Sequence, residues 1–355
     1  MRIMVLNSGY EQTTLIDAVF NYVWVERYET IGEFQIELPN TSSNRNLLKI
    51  DTILMIDQSD MPMVVETQII KKTPNGVTLQ VKGRDLVSWL ELRDAPWDVS
   101  YTAQRVSDIA YNILVRTIRD GNSYDKLPLV VRNYATDGAK YDYETVAGDL
   151  YENAQGILSD NHCSLRVRRY QTTANGVTTY DLSLDVYSGQ NRSIYYNDRD
   201  GSLVNTNRIT SKKKLRNVAT VAYKASNKED AKTLYRQVYA NGGSASKTGL
   251  DRRVLRVDGT SINPNDYPGT RLNTALDRLG RAKLGQQKMI DAITGEVPDY
   301  ALAKYRKDYY LGDRVNFKAD DKDTTQARVT EFTWTLDETG FRKFPTLDPI
   351  GDTTA

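Results

Sequence analysis

Histidine and cysteine are almost missing from this chain of 355 residues, which has one of each, at His162 and Cys163. A single cysteine excludes an internal disulfide framework and is typical of a protein made in a reducing compartment. No run of about eighteen apolar residues occurs, so the sequence predicts no membrane-spanning helix. The opening segment 1–6 becomes polar too soon for a signal peptide and predicts a first strand.

A strong excess of either charge is also missing, because 47 Lys and Arg nearly balance 46 Asp and Glu. A net charge of +1 does not favour a chain that, as a whole, seeks polyanions. Phenylalanine is scarce too, with 6 residues against 23 tyrosines. Tyrosine combines apolar area with a polar tip, which suits half-buried sheets and protein interfaces. Composition therefore favours partner surfaces over a deep apolar ligand cavity.

The adjacent pair His162 and Cys163 is the most reactive combination in the sequence. Neighbouring residues of a strand point to opposite faces, so the two cannot act on one another as base and nucleophile. No second histidine exists to complete a metal site with the cysteine. We therefore interpret the pair as a turn histidine before a buried strand cysteine.

Two other segments resemble ligand sites without meeting their requirements. Residues 241–248 look like a phosphate-binding loop, but Asn241 and Ser246 occupy the positions where that motif needs glycine. The acidic residues Asp320, Asp321 and Asp323 lack the spacing and the distal Glu of a calcium loop, so an exposed hairpin tip is favoured. No carboxylate pair stands out for hydrolysis. The sequence predicts a protein that is not an enzyme, with no cofactor and no metal site.

Alternation of period two dominates the end of the chain. Apolar residues alternate with polar neighbours at Leu311, Val315 and Phe317, and again at Val329, Phe332, Trp334 and Leu336 with one change of register. The polar segments 319–324 and 337–340 supply turns between these runs and the final run 340–347. This pattern predicts a β-meander of half-buried strands.

The rest of the chain falls into three regions. Residues 1–99 carry short alternating runs, an Asn-Gly hairpin signal at 73–76 and a short helix or packed corner at 83–93. Residues 100–202 contain two helical patterns, one over 106–118 with Thr102 as N-cap and one over 143–158, and then strands around a second Asn-Gly turn. Residues 203–347 return to alternation, with a polar loop over 224–250 and a helix over 268–291, and 348–355 form a tail. We predict a mainly β fold with an α+β insertion.

Four short segments, in this order, resemble one family of proteins. They are Gly83–Arg93 (GRDLVSWLELR), Tyr143–Leu150 (YETVAGDL), Leu215–Tyr223 (LRNVATVAY) and Tyr310–Phe317 (YLGDRVNF). Their order resembles the tail-hub proteins of long-tailed bacteriophages, also called baseplate hub or tail-associated proteins, most closely the short siphophage form. The resemblance covers nearly the whole chain.

The resemblance implies a fold and a structural role that does not require catalysis. Family members are trimers in which each subunit contributes two tube-protein-like β-barrel domains to a pseudo-sixfold ring. Applied here, it implies barrels at 1–99 and 203–347 and a small peripheral domain at 100–202. Such a trimeric hub joins the sixfold tail tube or distal tail ring to the threefold tip and lines the DNA channel.

The resemblance also implies partners and a location. The partners would be two further copies of the chain, the distal tail or tube ring, the tape-measure protein, and tip, fibre or receptor-binding proteins. DNA would pass through in transit, and the chain would not insert into a membrane. We expect a virion protein at the distal end of the tail, made in the host bacterial cytoplasm. Because the chain ends soon after its last strand, we expect it to lack the C-terminal enzymatic or receptor-binding extensions of larger relatives.

Positive charge is concentrated in one part of the sequence. Residues 200–256 contain 13 Lys and Arg against 4 Asp and Glu, while residues 1–99 lean acidic. A solvated basic face is one interpretation, and a surface for an acidic partner is the other. Basic groups facing a DNA channel would retard the DNA by binding its phosphates. We therefore predict a partner interface at Lys212, Lys213, Lys214, Arg216, Arg252 and Arg253.

Two other classes of function remain open from sequence alone. One is a β-rich host-surface adhesin or carbohydrate-binding tail protein, suggested by the many Tyr and Trp side chains. Binding of host surface material by this chain alone would favour it. The other is a hydrolase with an unrecognised carboxylate pair, for which turnover lost on a single carboxylate substitution would be the support.

Overall fold

A computed structural model of the chain describes residues 2–74, 76–96, 99–136, 140–145, 148–159, 161–197, 200–226, 228, 230–240, 248–260, 262, 264–265, 267, 269–285, 287, 289–298, 300–318 and 325–350. The chain forms two compact units. The large unit comprises Met1–Arg208 and Ala292–Ala355, and the small unit comprises Ile209–Asp291.

Thirteen strands from both ends of the chain form the main sheet. The N-terminal strands are β1 (Ile3–Leu6), β2 (Gln12–Ile16), β3 (Asn21–Arg27), β4 (Glu33–Pro39), β5 (Ile53–Ile56), β6 (Met63–Thr73) and β7 (Gly76–Asp85). The later strands are β13 (Asn191–Asn197), β14 (Val204–Ser211), β18 (Ile290–Glu296), β19 (Arg314–Lys318), β20 (Thr325–Asp337) and β21 (Gly340–Pro349). The strand order is β14-β18-β21-β20-β3-β4-β7-β6-β5-β1-β2, and β19 joins β20 and β13.

The two ends of the chain meet where β3 pairs with β20. Trp24 lies opposite Trp334 in this antiparallel pair, and both indole rings are buried. The mainly β prediction is confirmed, as is the C-terminal meander of β19, β20 and β21. Among the described strands, the main sheet runs open from β14 to β2 without closing into a barrel. The division at residues 99 and 202 into two barrel domains stays a prediction.

The core of the main sheet follows from alternation. In β3 the side chains of Tyr22 and Trp24 are buried, and in β4 those of Phe34 and Ile36 are buried, while their neighbours Val23 and Gln35 are more exposed. The ring of Trp24 stacks on that of Phe34 with centroids 5.3 Å apart. Such aromatic pairs add stability beyond the apolar area that they bury.

The predicted α+β insertion is confirmed, and its core also includes Val64, Leu86, Val87 and Leu90 of the preceding segment. Its strands are β8 (Ser100–Arg105), β9 (Val130–Asn133), β10 (Lys140–Glu144), β11 (Cys163–Ala174) and β12 (Val177–Ser188), and its helices are α2 (Val106–Leu114), continued by a π-helical turn (Val115–Arg119), and α3 (Leu150–Ser159). Two short helices precede it, α1 (Ser42–Leu47) and a 3-10 helix (Leu86–Leu92). The 3-10 helix confirms the packed corner predicted over 83–93.

The N-cap of the first helix and the start of the second helix differ from the prediction. Thr102 lies in β8, and the N-cap position of α2 is held by Arg105. Residues 140–144 are a strand because they pair with β8, which places Tyr143 opposite Tyr101. The second helix therefore starts at Leu150, where the carboxylate of Asp149 accepts the N–H of Glu152 at 2.7 Å.

The small unit is a three-stranded sheet covered on one face by a helix. Its elements are β15 (Val218–Lys224), β16 (Thr233–Tyr239), a 3-10 turn (Gly249–Asp251), β17 (Val254–Asp258) and α4 (Thr270–Gly285). The order is β16-β15-β17, with β15 antiparallel to β16 and parallel to β17. The apolar side chains of α4, such as Leu276, pack on Ala219 and Val221 of the central strand.

Two sequence predictions for the small unit need correction. Residues 233–239 lie within the segment predicted as a polar loop, yet they form β16, because Leu234, Arg236 and Val238 alternate toward the helix. The helix predicted over 268–291 ends at Gly285, and Met289 lies beyond it, exposed. Pro268 and the polar residues 241–247 lie outside the described residues.

Candidate interaction surface

The six predicted interface residues come together at one end of the small unit. Because β15 and β17 are parallel neighbours, with Val218 opposite Val254, the segments that enter them lie at the same end of the sheet. Residues 212–216 precede β15, and residues 252–253 precede β17. We call Lys212, Lys213, Lys214, Arg216, Arg252 and Arg253 the basic end.

Asn217 fastens the two segments of the basic end to each other. Its side-chain oxygen accepts the N–H of Arg253 at 2.9 Å, and its side-chain nitrogen donates to the carbonyl of Asp251 at 2.7 Å. Its own N–H donates to the carbonyl of Arg253 at 3.0 Å. One asparagine side chain therefore fixes the distance between two runs of positive charge, which like charges alone would push apart.

Two arginines of the basic end donate hydrogen bonds to backbone carbonyls within the small unit. The guanidinium of Arg253 donates to the carbonyl of Lys212 at 3.2 Å, which brings the two basic segments into direct contact. The guanidinium of Arg216 donates to the carbonyls of Leu215 at 2.8 Å and of Lys213 at 3.3 Å. Both side chains are half-buried, so they shape the surface more than they extend from it.

The three lysines are the part of the basic end that is open to a partner. Lys212, Lys213 and Lys214 are exposed, whereas Arg252 is half-buried. Within the described part of the chain, none of the six basic residues forms an ion pair. Arg236, on the helix-facing side of β16, is by contrast paired. Its guanidinium binds Asp277 of α4 through two contacts of 2.6 and 2.9 Å. The basic end therefore presents uncompensated positive charge.

The large unit contains a close junction between three distant parts of the sequence. The carbonyl carbon of Gly312 would lie 1.9 Å from a Cβ added at Gly189, so only a glycine at position 189 allows these backbones to meet. The ring of Tyr28 lies against Gly312, whose φ is +84°. The hydroxyl of Tyr28 donates to the carbonyl of His162 at 2.5 Å and accepts the N–H of Gly189 at 3.3 Å.

Buried charge lies beside this junction. Glu26 in β3 is fully buried, and its carboxylate accepts hydrogen bonds from Ser59 and from the hydroxyl of Tyr305, the latter at 2.8 Å. Arg306 lies 3.7 Å from Glu26 and also pairs with Asp60. Burial raises the pKa of Glu26, although Arg306, Ser59 and Tyr305 act in the opposite direction.

This ionic cluster continues into the insertion. Asp60 lies 3.9 Å from Arg168, which in turn binds the buried carboxylate of Asp185 at 2.6 Å. Arg166 pairs with the same carboxylate at 3.3 Å. One sign of this network is visible in the sequence, because Glu26 occupies a core position in the alternating run of β3. No local sequence pattern indicates that segments 59–60 and 305–306 supply the partners of Glu26.

Three segments of the sequence resemble catalytic or ligand sites, and the structure describes them in part. His162 is exposed in a turn with φ of 55°, and Cys163 is buried as the first residue of β11, which confirms the interpretation of that pair. Asp320, Asp321 and Asp323 lie outside the described residues, as does most of the segment resembling a phosphate-binding loop. Within the described ranges, no group of three or more His, Cys, Asp or Glu could hold a metal ion. No helix in those ranges is long and apolar enough to cross a membrane.

Comparison with known proteins gives one family and several related folds. The family described as Siphovirus ReqiPepy6 Gp37-like protein matches residues 2–114 and 128–347. No curated protein shows a significant match.

Three solved structures share the fold across almost their whole length. A tail protein from Neisseria meningitidis MC58 is 14% identical with a TM-score of 0.55, covering 98% of this chain and 95% of its own. The 43 kDa tail protein of prophage MuSo2 from Shewanella oneidensis is 10% identical with a TM-score of 0.55, covering 98% of each chain. The prophage tail protein gp18 from Listeria monocytogenes EGD-e is 10% identical with a TM-score of 0.50, covering 100% and 96%. Together with the family match, they confirm the resemblance to phage tail-hub proteins.

Proposed function

Because this chain belongs to the family of Siphovirus ReqiPepy6 Gp37-like proteins, we propose that it is a structural protein of a phage tail. In this proposal three copies form the hub at the distal end of the tail. The hub joins the sixfold tail tube or distal tail ring to the threefold tip and surrounds the DNA channel. It acts by assembly rather than by catalysis. Its partners are the tube or distal ring, the tape-measure protein and the proteins of the tip.

The observation that carries the proposal is the agreement of fold with tail proteins over 95% or more of each chain. The pairing of β3 with β20 also supports the proposal, because it joins strands from the two ends of the chain in one continuous sheet. Three such subunits, each with strands from segments 1–99 and 203–347, supply six related parts to a ring. A threefold assembly can thereby match a sixfold neighbour.

The outward face of the main sheet is suited to line a channel through which DNA passes. Trp24, Phe34 and Val81 point into the core, so their neighbours in β3, β4 and β7 point outward. The charged side chains of this face, on β20, β3, β4, β7 and the adjoining β6, have both signs. They are Arg27, Lys71, Lys82, Arg84, Glu33, Glu37, Glu66, Glu331 and Asp337.

Most of these charges are neutralised within the face itself. Arg27 binds Glu33 at 2.6 Å and Glu331 at 2.8 Å, and Arg84 binds Glu66 at 2.9 Å. A wall of this kind holds few free cations, so it would not retain phosphates as a basic wall would. In the proposed ring the outward face lines the lumen, and the basic end faces a protein partner.

Electron microscopy of the purified chain, classified by rotational symmetry, tests the proposal. We expect threefold rings with six lobes around a central hole. Monomers at every concentration, combined with binding of host surface material or with turnover of a polysaccharide, would contradict the hub. Labelling virions with an antibody against this chain gives an independent check, because the label should lie at the distal end of the tail.

A further inference from the structure

The helix α4 packs on one face of the small unit's sheet, and the opposite face carries side chains that are exposed to solvent. Ala219, Val221 and Val238 pack toward the helix, so their neighbours along the strands point to the other side. We call this other side the open face. It includes Val218 and Ala222 of β15, Tyr235 and Tyr239 of β16, and Val254 and Arg256 of β17.

The centre of the open face is rich in aromatic and aliphatic groups. Val218 pairs with Tyr239 on one side and with Val254 on the other, so one ring and two valines lie side by side across the sheet. Ala222 lies opposite Tyr235 further along the same two strands. Tyr235 is 69% exposed and Val254 is 41% exposed. A sheet face that meets only water normally carries polar side chains, whereas tyrosine and apolar groups at the centre of a surface are typical of protein interfaces.

The basic end borders the open face directly. Val254 follows Arg253 in the chain, and the segment 212–216 enters β15 at the same end of the sheet. The exposed lysines of this segment therefore lie beside the apolar centre. Arg256 adds an exposed cation on the open face itself, and it forms no ion pair with any residue that the structure describes. The open face and the basic end thus form one surface, with an apolar centre and a positively charged rim.

The charge of the small unit favours an acidic partner for this surface. Residues 209–291 contain 17 Lys and Arg against 7 Asp and Glu, a net charge of +10. Such a field attracts negatively charged surfaces and suppresses contacts with positively charged ones. The open faces of two copies would therefore repel each other, and a different, acidic surface is the better match.

The distribution of charge along the open face favours a protein over a nucleic acid. A nucleic acid strand carries a phosphate at every nucleotide and is held by cations along its length. Here residues 212–216 and 251–253 contain 6 Lys and Arg against 1 Asp, whereas residues 224–232 and Asp258, at the other end of the strands, contain 3 cations and 3 carboxylates. Val218 and Val254 also offer aliphatic groups where a stacking platform would need rings.

We propose that the open face and the basic end together dock another protein of the tail, whose contact surface carries carboxylates beside an apolar centre. The inference rests on the proposed function, because it takes the chain to be part of a phage tail. Carboxylates of the partner lie against the lysines of the basic end, and its apolar side chains lie against Tyr235 and Val254. An apolar centre with a charged rim is the usual anatomy of a protein interface.

Chemical labelling of intact virions tests this contact at named residues. A carbodiimide joins a lysine to a carboxylate only where the two touch, and mass spectrometry then identifies the pair. We expect links from Lys212, Lys213 or Lys214 to Asp or Glu of a different tail protein. Nitration of Tyr235 by tetranitromethane should be about tenfold or more weaker in the virion than in the free chain, because an interface excludes water. Tyr124, which is 89% exposed on the insertion, is the internal control and should react equally in both.

Substitutions test the two parts of the surface separately, with the purified partner that the cross-links identify. Tyr235→Ala should raise the Kd by about tenfold or more, because a tyrosine at the centre of an interface is often a hot spot. The variant K212E/K213E should mainly slow association, because rim charges steer the encounter. A control variant, K49E/K72E, has the same change in charge at exposed sites of the large unit and should bind like the wild type. Circular dichroism melting checks that each variant is folded.

The outcomes separate this inference from the proposed function. Virions that lack the chain would contradict the proposed function, and the inference with it. Virions that contain the chain, with Tyr235 as reactive as in the free chain and no link from the three lysines to another protein, would leave the tail protein intact and overturn the docking surface. Links to a second copy of this chain, recognised in virions of mixed isotopic composition, would overturn the choice of partner. Protection of Tyr235 that disappears when the DNA is ejected, without any link to a carboxylate, would overturn it in favour of nucleic acid.

Discussion

Trp24 and Trp334 lie opposite each other in adjacent antiparallel strands, although 309 residues separate them in the sequence. Their side chains are 1% and 2% exposed, and the Nε1–H of Trp334 donates to the side chain of Gln58 at 3.2 Å. Trp334 also lies 4.7 Å, between ring centroids, from Phe332. The pair joins the first and last parts of the chain, so the main sheet depends on it.

Replacement of Trp334 by alanine should therefore destabilise the large unit strongly. Truncation of a buried Trp or Phe typically costs about 3–5 kcal/mol, because apolar contacts are lost and a cavity remains. The free energy of unfolding from urea titration measures the loss. Thr335→Ala, at the next residue on the outward face, is the control and should cost about 1 kcal/mol or less. Equal losses for the two variants would contradict a central role for the tryptophan.

The sequence predicted those parts of the fold that depend on neighbours in the chain. The turn at Asn175-Gly176 was visible because positive φ angles of 52° and 78° suit these two residue types. The pairing of Trp24 with Trp334 was not visible, because each strand shows only that one face is buried and not which strand covers its edge. The same reason explains the helix start at Leu150, since residues 140–144 are held as a strand by β8.

The candidate surface was predictable in composition but not in geometry. The charge count identified Lys212–Lys214 and Arg252–Arg253 as basic segments, separated by nearly forty residues. Only the parallel pairing of β15 with β17 and the bonds of Asn217 show that they form one end of the small unit.

Replacement of Gly312 by alanine should destabilise the junction of the large unit. A Cβ at this position would lie 2.2 Å from the ring of Tyr28, and the φ of +84° is unfavourable for any L side chain. Gly176→Ala is a matched control, because its φ is +78° while no atom lies within 4 Å of the added Cβ. The difference between their unfolding free energies isolates the contact with Tyr28, and we expect Gly312→Ala to cost about 2 kcal/mol more. Equal costs would show that backbone strain alone accounts for the glycine.

The buried ion pair of Arg306 and Glu26 predicts a large effect when only one partner is removed. Arg306→Met leaves the fully buried carboxylate of Glu26 without its cation, which should cost about 3–5 kcal/mol. The second substitution Glu26→Gln removes the uncompensated charge and should recover part of the loss. A double-mutant cycle in urea measures this coupling. Additive losses would mean that the two side chains do not interact.

An exposed ion pair provides the comparison for Arg306. Arg342 binds Asp337 at 2.6 Å, but both side chains are more than one third exposed. Exposed pairs of this kind contribute about 0–1 kcal/mol, because water and salt screen them. Arg342→Met should therefore cost far less than Arg306→Met in the same titration.

Asp85 should make the stability of the large unit depend on pH. Burial raises the pKa of its carboxyl from 3.8 to about 7, although it accepts the N–H groups of Gly32 at 2.6 Å and Val87 at 2.9 Å. Between these two pKa values the folded chain holds a proton that the unfolded chain has released. The free energy of unfolding therefore contains a contribution that is present below about pH 4 and is lost as the pH rises through 7, by at most about 1.4 kcal/mol per pH unit.

The substitution Asp85→Asn isolates this contribution, because asparagine keeps an accepting oxygen but does not titrate. We expect the difference in unfolding free energy between Asp85→Asn and the wild type to shift in favour of the variant as the pH rises from about 5 to about 8. Glu26, whose pKa is also raised, is present in both proteins, and its effect largely cancels in the difference. A difference that stays constant over this range would show that Asp85 is ionised in the folded chain, with the two N–H donors outweighing the cost of burial.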